Sequence, residues 1–176
     1  MEDFYVEDYL VKGDRYYTKE HEWVRVKNGF AEVGITDYAQ KQLGDIVYVD
    51  LPEKGKEVDA GDTLANIESV KNVAPVYAPV TGTVAEVNED LKDEPGIIND
   101  DPYEAGWIAV VEMKDPSEIE DLMTAQDYAE YLKEIVEEEK EEEVEIKEEE
   151  LIETESIEEL PEEDLGYEDT HGEVSK

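Results

Sequence analysis

The chain has 176 residues, of which 15 are basic and 52 acidic, giving a net charge of −37 at pH 7, and it contains no cysteine. This balance excludes a phosphate-tracking surface, which needs clustered lysine and arginine, and so excludes nucleic acid as a partner; without cysteine there is neither a disulfide framework nor a thiolate nucleophile, so redox chemistry would have to come from an attached group. The length accommodates one domain with a real core plus extensions, and no apolar run reaches the ~20 residues of a membrane span.

The first residues, Met1-Glu2-Asp3-Phe4, show neither the basic and then apolar stretches of a secretory leader nor the arginine content of a transit peptide, so a cytoplasmic location is expected. Residues 1–13 read as an extension whose Phe4, Tyr5, Val6, Tyr9, Leu10 and Val11 form an apolar patch lying across a domain surface. A folded domain is expected over residues 14–133. It opens with one strand over 16–26, paired through the Asn28-Gly29 turn with 30–35. Thr36 or Asp37 caps a short helix over 38–43 that Gly44 ends, and alternation over 45–51 predicts a strand closed by Pro52-Glu53-Lys54-Gly55.

After the turn signal Ala60-Gly61-Asp62, residues 63–68 alternate apolar and polar side chains. Residues 73–80 carry Pro75 and Pro79, which suit an edge strand. These two strands make a hairpin with Lys71 near its tip, where the amine stands in water within reach of a modifying enzyme. The competing reading is an ordinary surface lysine. Residues 82–88 form a further strand, 89–106 a packed loop anchored by Leu91, Ile97, Ile98 and Tyr103, and 107–113 the last strand. Asp115-Pro116-Ser117-Glu118 opens a helix, and 124–133 a second helical stretch with Tyr128, Tyr131 and Leu132 facing inward. Residues 134–176 hold 21 acids against Lys140, Lys147 and Lys176; such a tail cannot bury enough apolar area to offset chain ordering, so disorder or a frayed continuation of the helix is expected.

A weak internal repeat is centred on the lysine. Gly44-Asp45-Ile46-Val47-Tyr48-Val49-Asp50 leads to Leu64-Ala65-Asn66-Ile67-Glu68 before it, and Gly82-Thr83-Val84-Ala85-Glu86-Val87-Asn88 leads to Ile108-Ala109-Val110-Val111-Glu112 after it. Two such half-units can pack as two small sheets about a pseudo-twofold axis, each burying the apolar face of the other.

Glu68-Ser69-Val70-Lys71 resembles the lipoylation motif of glycine cleavage system H proteins. Tyr17-Thr18-Lys19-Glu20-His21-Glu22-Trp23, Leu43-Gly44-Asp45, Tyr77-Ala78-Pro79-Val80-Thr81-Gly82, Ile98-Asn99 and Gly106-Trp107 resemble family positions in the same order, so the likeness covers residues 14–133. It implies a mainly β barrel-sandwich hybrid of the lipoyl/biotinyl-carrier type, with two quasi-symmetric halves, short helices and a C-terminal helical segment. It also implies lipoate attached covalently to Lys71 by a lipoate ligase or through lipoyl synthase, with Glu68, Ser69, Val70 and Asn72 forming the recognition hairpin. A protonated lysine amine is a poor unaided nucleophile, so the chain is expected to be a carrier with no catalytic residue of its own.

The implied role is to shuttle the aminomethyl group of glycine from a pyridoxal-phosphate glycine decarboxylase to a tetrahydrofolate-dependent aminomethyltransferase, with reoxidation by dihydrolipoyl dehydrogenase. In such proteins an acidic cleft receives the loaded arm; Glu22 matches one acid of that cleft, with Glu20 as a second candidate. Pro75 stands where many members carry the other acid, and Asn72 where alanine is usual. Val70 and Asn72 match neither the methionines that flank biotinylated lysines nor the aspartate that precedes the lysine of 2-oxo acid dehydrogenase lipoyl domains. Alternatives are a lipoate relay or a lipoyl carrier in sulfur oxidation, and an adaptor in which Lys71 stays bare. Lys54 and Lys56 are rival lysines without the flanking motif. His21 and His171 lie far apart in sequence, so no metal site or nucleophile triad is expected.

Overall fold

The computed structural model describes residues 1–158, and the chain divides into two compact units, Met1–Lys133 and Glu134–Lys176. In the first unit, β1 (Phe4–Val6) and β2 (Tyr9–Val11) form a separate hairpin. There follow β3 (Tyr16–Tyr17), β4 (Glu22–Lys27), β5 (Phe30–Ile35), helix α1 (Asp37–Leu43), β6 (Ile46–Asp50), β7 (Glu57–Val58), β8 (Thr63–Ser69), β9 (Val73–Tyr77) and β10 (Gly82–Val87). Short helices α2 (Asp90–Asp93) and α3 (Ile97–Asp100), strand β11 (Ala109–Met113), a 3-10 turn (Pro116–Asp121) and helix α4 (Ala125–Glu158) complete the described chain.

Alternation of inward and outward side chains arranges these strands in two antiparallel layers. A six-stranded sheet has the order β3-β4-β5-β11-β10-β7, and a three-stranded sheet the order β6-β8-β9. Val24, Val33, Val84 and Val111 of the larger sheet join Val49, Leu64, Ile67 and Val76 of the smaller one in a single buried cluster. Both proline-bearing β9 and short β6 are edge strands of the smaller sheet, the kind of strand that tolerates a proline such as Pro75.

The repeat seen in the sequence corresponds to equivalent pairings. β6 pairs antiparallel with β8, and β10 with β11. Each first strand is bulged at the same point of the repeat, between Ile46 and Tyr48 and between Val84 and Glu86. The hairpin β8–β9 joins the two halves.

One expectation differs from what is seen, and the structure adds detail to the two extensions. The stretch 16–26 is two strands rather than one, because the chain reverses within Thr18–Glu22. Thr18 donates its N–H to Glu22 O at 3.0 Å, its Oγ1 accepts from Glu22 N at 3.1 Å, and His21 takes the left-handed conformation at φ 69°. Residues 1–13 are stitched into the domain: Leu10 donates its N–H to Asp37 Oδ2 at 2.9 Å and accepts from Tyr103 Oη at 2.6 Å, and Val11 is fully buried. The acidic segment is helical as far as Glu158, since residues 125–158 contain no glycine or proline and are rich in strong helix formers. Its remainder, residues 159–176, lies outside the described residues. No helix among the described residues is long and apolar enough to cross a membrane.

Candidate functional site

Lys71 stands exposed at the tip of the β8–β9 hairpin, and a small set of polar contacts fixes that tip. The hydroxyl of Ser69 accepts from the backbone N–H of Lys71 at 3.2 Å and of Asn72 at 3.1 Å. It lies within 3.2 Å of the Asn72 carbonyl, which also accepts from Ser69 N at 2.8 Å. One serine therefore satisfies the loop donors that a three-residue connection leaves unpaired.

Below the tip lies the turn that follows α1. Val70 donates its N–H to Asp45 O at 3.0 Å, coupling the hairpin to the start of β6. Gly44 sits at φ 77°, and a methyl group added there would come 3.4 Å from Cε and 3.6 Å from Nζ of Lys71. The lysine stem thus rests over the bare face of a glycine whose backbone conformation L side chains rarely adopt. Asn99 clamps this turn from α3: its Nδ2 donates to Gly44 O at 2.9 Å and to Gln40 Oε1 at 3.0 Å, and its Oδ1 accepts from Ile46 N at 2.9 Å. Asn99 falls in the family-like Ile98-Asn99 pair, but its bonds to Gly44, Gln40 and Ile46 bridge segments too distant along the chain for spacing to reveal.

Of the expected hairpin residues, Glu68, Val70 and Asn72 are exposed beside Lys71, and Ser69 is partly covered by its loop. Lys54 and Lys56 lie elsewhere, in the turn between β6 and β7 that is held to β10 by Gly55 N to Val84 O and Val84 N to Lys56 O, both 2.8 Å.

A second feature lies toward the far end of the hairpin. Glu22 is only 2% exposed; its Oε1 accepts from Thr18 Oγ1 at 2.5 Å and its Oε2 from Tyr77 N at 3.0 Å. Burial raises its carboxyl above the usual range, against the two donors that favour the ionised form, and the neighbouring charge of Glu20 pushes the same way as burial. Thr18, Glu20, Glu22, Gly61, Tyr77 and Pro79 line a cleft of about 430 Å³, with Glu20 exposed at its edge. Tyr77 is six residues along the chain from Lys71, roughly 20 Å at the rise of a β-strand. Pro75 is exposed on β9, opposite Asn66.

His21 lies partly buried between α1 and α4, its Nδ1 2.7 Å from Tyr128 Oη and its ring 4.7 Å from that of Tyr38. Burial lowers its pKa to about 4. Among the described residues there is no group of three or more His, Cys, Asp or Glu able to hold a metal ion.

Two packed β-layers built on a repeated strand pairing, with a lysine-tipped hairpin in the smaller one, define a barrel-sandwich hybrid of the lipoyl-domain class. The model of the family described as Glycine cleavage H-protein matches residues 15–135. "Glycine cleavage system H protein 4" of Aquifex aeolicus is 97% identical over 146 residues, covering 83% of this chain and 85% of that protein. A "Probable glycine cleavage system H protein" of Pyrococcus furiosus is 59% identical over 130 residues, 73% of this chain and 96% of that one. The crystal structure of a glycine cleavage system H protein from Mycobacterium marinum superposes with a TM-score of 0.64 at 40% identity, covering 69% of this chain and 98% of that one. The chain belongs to the glycine cleavage H-protein family.

Proposed function

We propose that Lys71 carries lipoate in amide linkage and that the chain is the non-catalytic shuttle of a cytoplasmic glycine cleavage system. The observation that supports this most strongly is the presentation of Lys71: one exposed amine, on a loop braced by Ser69, Asp45 and Asn99, inside a family-like Glu68-Ser69-Val70-Lys71 motif. When attached, the dithiolane supplies the redox chemistry that a chain without cysteine lacks. The protein's own part is tethering, which turns encounters between enzymes into a high local concentration, and shelter of the carried group in the cleft lined by Glu20 and Glu22.

In this reading a lipoate ligase or lipoyl synthase loads Lys71. The arm then takes the aminomethyl group from the pyridoxal-phosphate decarboxylase, yields its carbon to the tetrahydrofolate-dependent aminomethyltransferase, and is reoxidised by dihydrolipoyl dehydrogenase. A second reading, a lipoate relay or a sulfur-oxidation carrier, is favoured by one observation only: Pro75 cannot supply a carboxylate on β9.

Mixing the lipoylated full-length protein with glycine decarboxylase and labelled glycine tests the proposal. Carbon dioxide release should depend on the wild-type protein and be absent with Lys71→Arg. Release no greater than with Lys71→Arg would remove the glycine reading and leave the relay.

A further inference from the structure

The bulge in β6 has a consequence for the surface around Lys71. In a regular strand Ile46, Val47 and Tyr48 would face in, out and in. With the extra residue, Ile46 stays buried, Val47 and Tyr48 both face out, and Val49 returns to the core. Register then sets Tyr48 beside Glu68 and Glu68 beside Val73, one row across all three strands of the smaller sheet, on its outer face. Val47, Tyr48, Val70 and Val73 are 54, 50, 67 and 64% exposed. Val70 adjoins Lys71 and Val73 lies two residues beyond it, while Val47 and Tyr48 follow Asp45, whose carbonyl accepts from Val70 N; Asp45, Asp50 and Glu68 are exposed in the same stretches of a strongly acidic chain.

An apolar face bordered by acids at a protein surface marks an interaction site. We propose that Val47, Tyr48, Val70 and Val73 form the docking surface for the enzyme that acylates Lys71, which meets them with an apolar shelf edged by basic side chains. The inference rests on the reading that Lys71 is acylated. That enzyme must bring its reactive carbonyl to Nζ itself, and the lysine stem rests over Gly44, in the turn that leads into β6, beside Val70 in the chain. Enzymes that act on the finished arm meet its far end and have no such need to cover the hairpin. In the acylation, Nζ bonds to the carbonyl carbon of an acyl adenylate, the bond from that carbon to the phosphate oxygen breaks, adenylate leaves, and the ammonium group gives up two protons. The brace from Val70 N to Asp45 O ties the hairpin tip to the start of β6 and holds the two parts of the face in fixed relation, so little ordering is left for the encounter.

The test uses the unmodified full-length protein, ATP, lipoate and a lipoate ligase, with product followed by intact mass. Val47→Thr/Tyr48→Thr/Val73→Thr keeps strand-forming residues at three exposed positions and removes apolar area; the single Tyr48→Thr variant, checked for an unchanged melting temperature, reads the same effect on a minimally altered fold. The triple variant should lose tenfold or more in kcat/KM, chiefly through a higher KM, and the single variant about threefold. Val26→Thr/Phe30→Thr, also at exposed positions but on the other sheet, should match wild type. Once each protein is driven to full loading, reduction of the arm by dihydrolipoyl dehydrogenase with NADH should be equal. Wild-type kinetics in both face variants would overturn the docking surface while leaving acylation intact. Failure of the wild-type protein to gain any acyl group at Lys71 would overturn both.

Discussion

At Glu22 two roles of one carboxylate can be separated. Its oxygens already accept from Thr18 Oγ1 and Tyr77 N, so it ties the β3–β4 reversal to the end of β9 and shapes the cleft from within. A carboxylate has about four lone-pair sites, which leaves capacity for a cationic amine entering the cleft, while exposed Glu20 meets the same amine from the rim. A charge-assisted hydrogen bond contributes roughly 1.5–3 kcal/mol. Glu22→Gln should therefore release ammonia and formaldehyde from the loaded arm about tenfold to a hundredfold faster. Lipoylation and reoxidation, neither of which uses the amine, should not change. Release rates equal to wild type, measured without the transferase, would show that the cleft does not hold the cargo. The exposed place of Lys71 at a hairpin tip was legible from the two strand patterns that flank it. Gly44 as a seat for the lysine stem was not, because that contact depends on how α1 ends beneath a hairpin more than twenty residues later in the chain.

Among the elements, the β3–β4 reversal shows where sequence patterning stops working. No glycine, proline or asparagine marks residues 18–22; the turn is stabilised by the Thr18 side chain and by His21 in the left-handed region. The bulge in β6 likewise breaks an alternation that looked regular, and it takes the register with β8 to reveal it. The helix α1 was more readable: Thr36 Oγ1 accepts from Ala39 N at 3.2 Å, as an N-cap serves, and Gly44 ends it. His21 joins that helix to α4 through Tyr38 and Tyr128.

Its pKa is lowered by burial from 6.5 to about 4. In the unfolded chain the imidazole takes a proton as pH falls through the ordinary histidine range, whereas in the folded chain it stays neutral until about pH 4. The unfolded state thus binds more protons in this window, and stability falls as pH falls. Between pH 6.5 and 5 the contribution lost should be about 1–2 kcal/mol. His21→Asn keeps a residue that tolerates positive φ and should flatten the dependence of melting temperature on pH over that interval, whatever it does to stability at pH 7. Parallel curves for wild type and variant would show that His21 is not held neutral by the fold.

For the whole molecule, two layers and their internal repeat were visible in the sequence because both halves alternate with the same glycine-led pattern, and the structure gives both the same bulge. The acidic extension was less legible. Its charge argued for disorder or a frayed continuation of the helix, and an uninterrupted run of helix formers extends α4 to Glu158. The family match ends at residue 135, so most of this extension lies outside it. A chain ending after Glu138 should accordingly unfold cooperatively, with a melting temperature within a few degrees of full length, and should be lipoylated at an unchanged rate. Loss of the cooperative transition in calorimetry would give the acidic helix a structural role in the domain.

On the proposed reading, the fold presents one lysine, Lys71, for lipoylation. Peptide mapping by mass spectrometry after co-expression with a lipoate ligase tests it most directly. The lipoyl mass is expected on the peptide containing Lys71 alone, and not at all in Lys71→Arg. Finding it on Lys54 or Lys56, or on the Lys71→Arg protein, would contradict the claim.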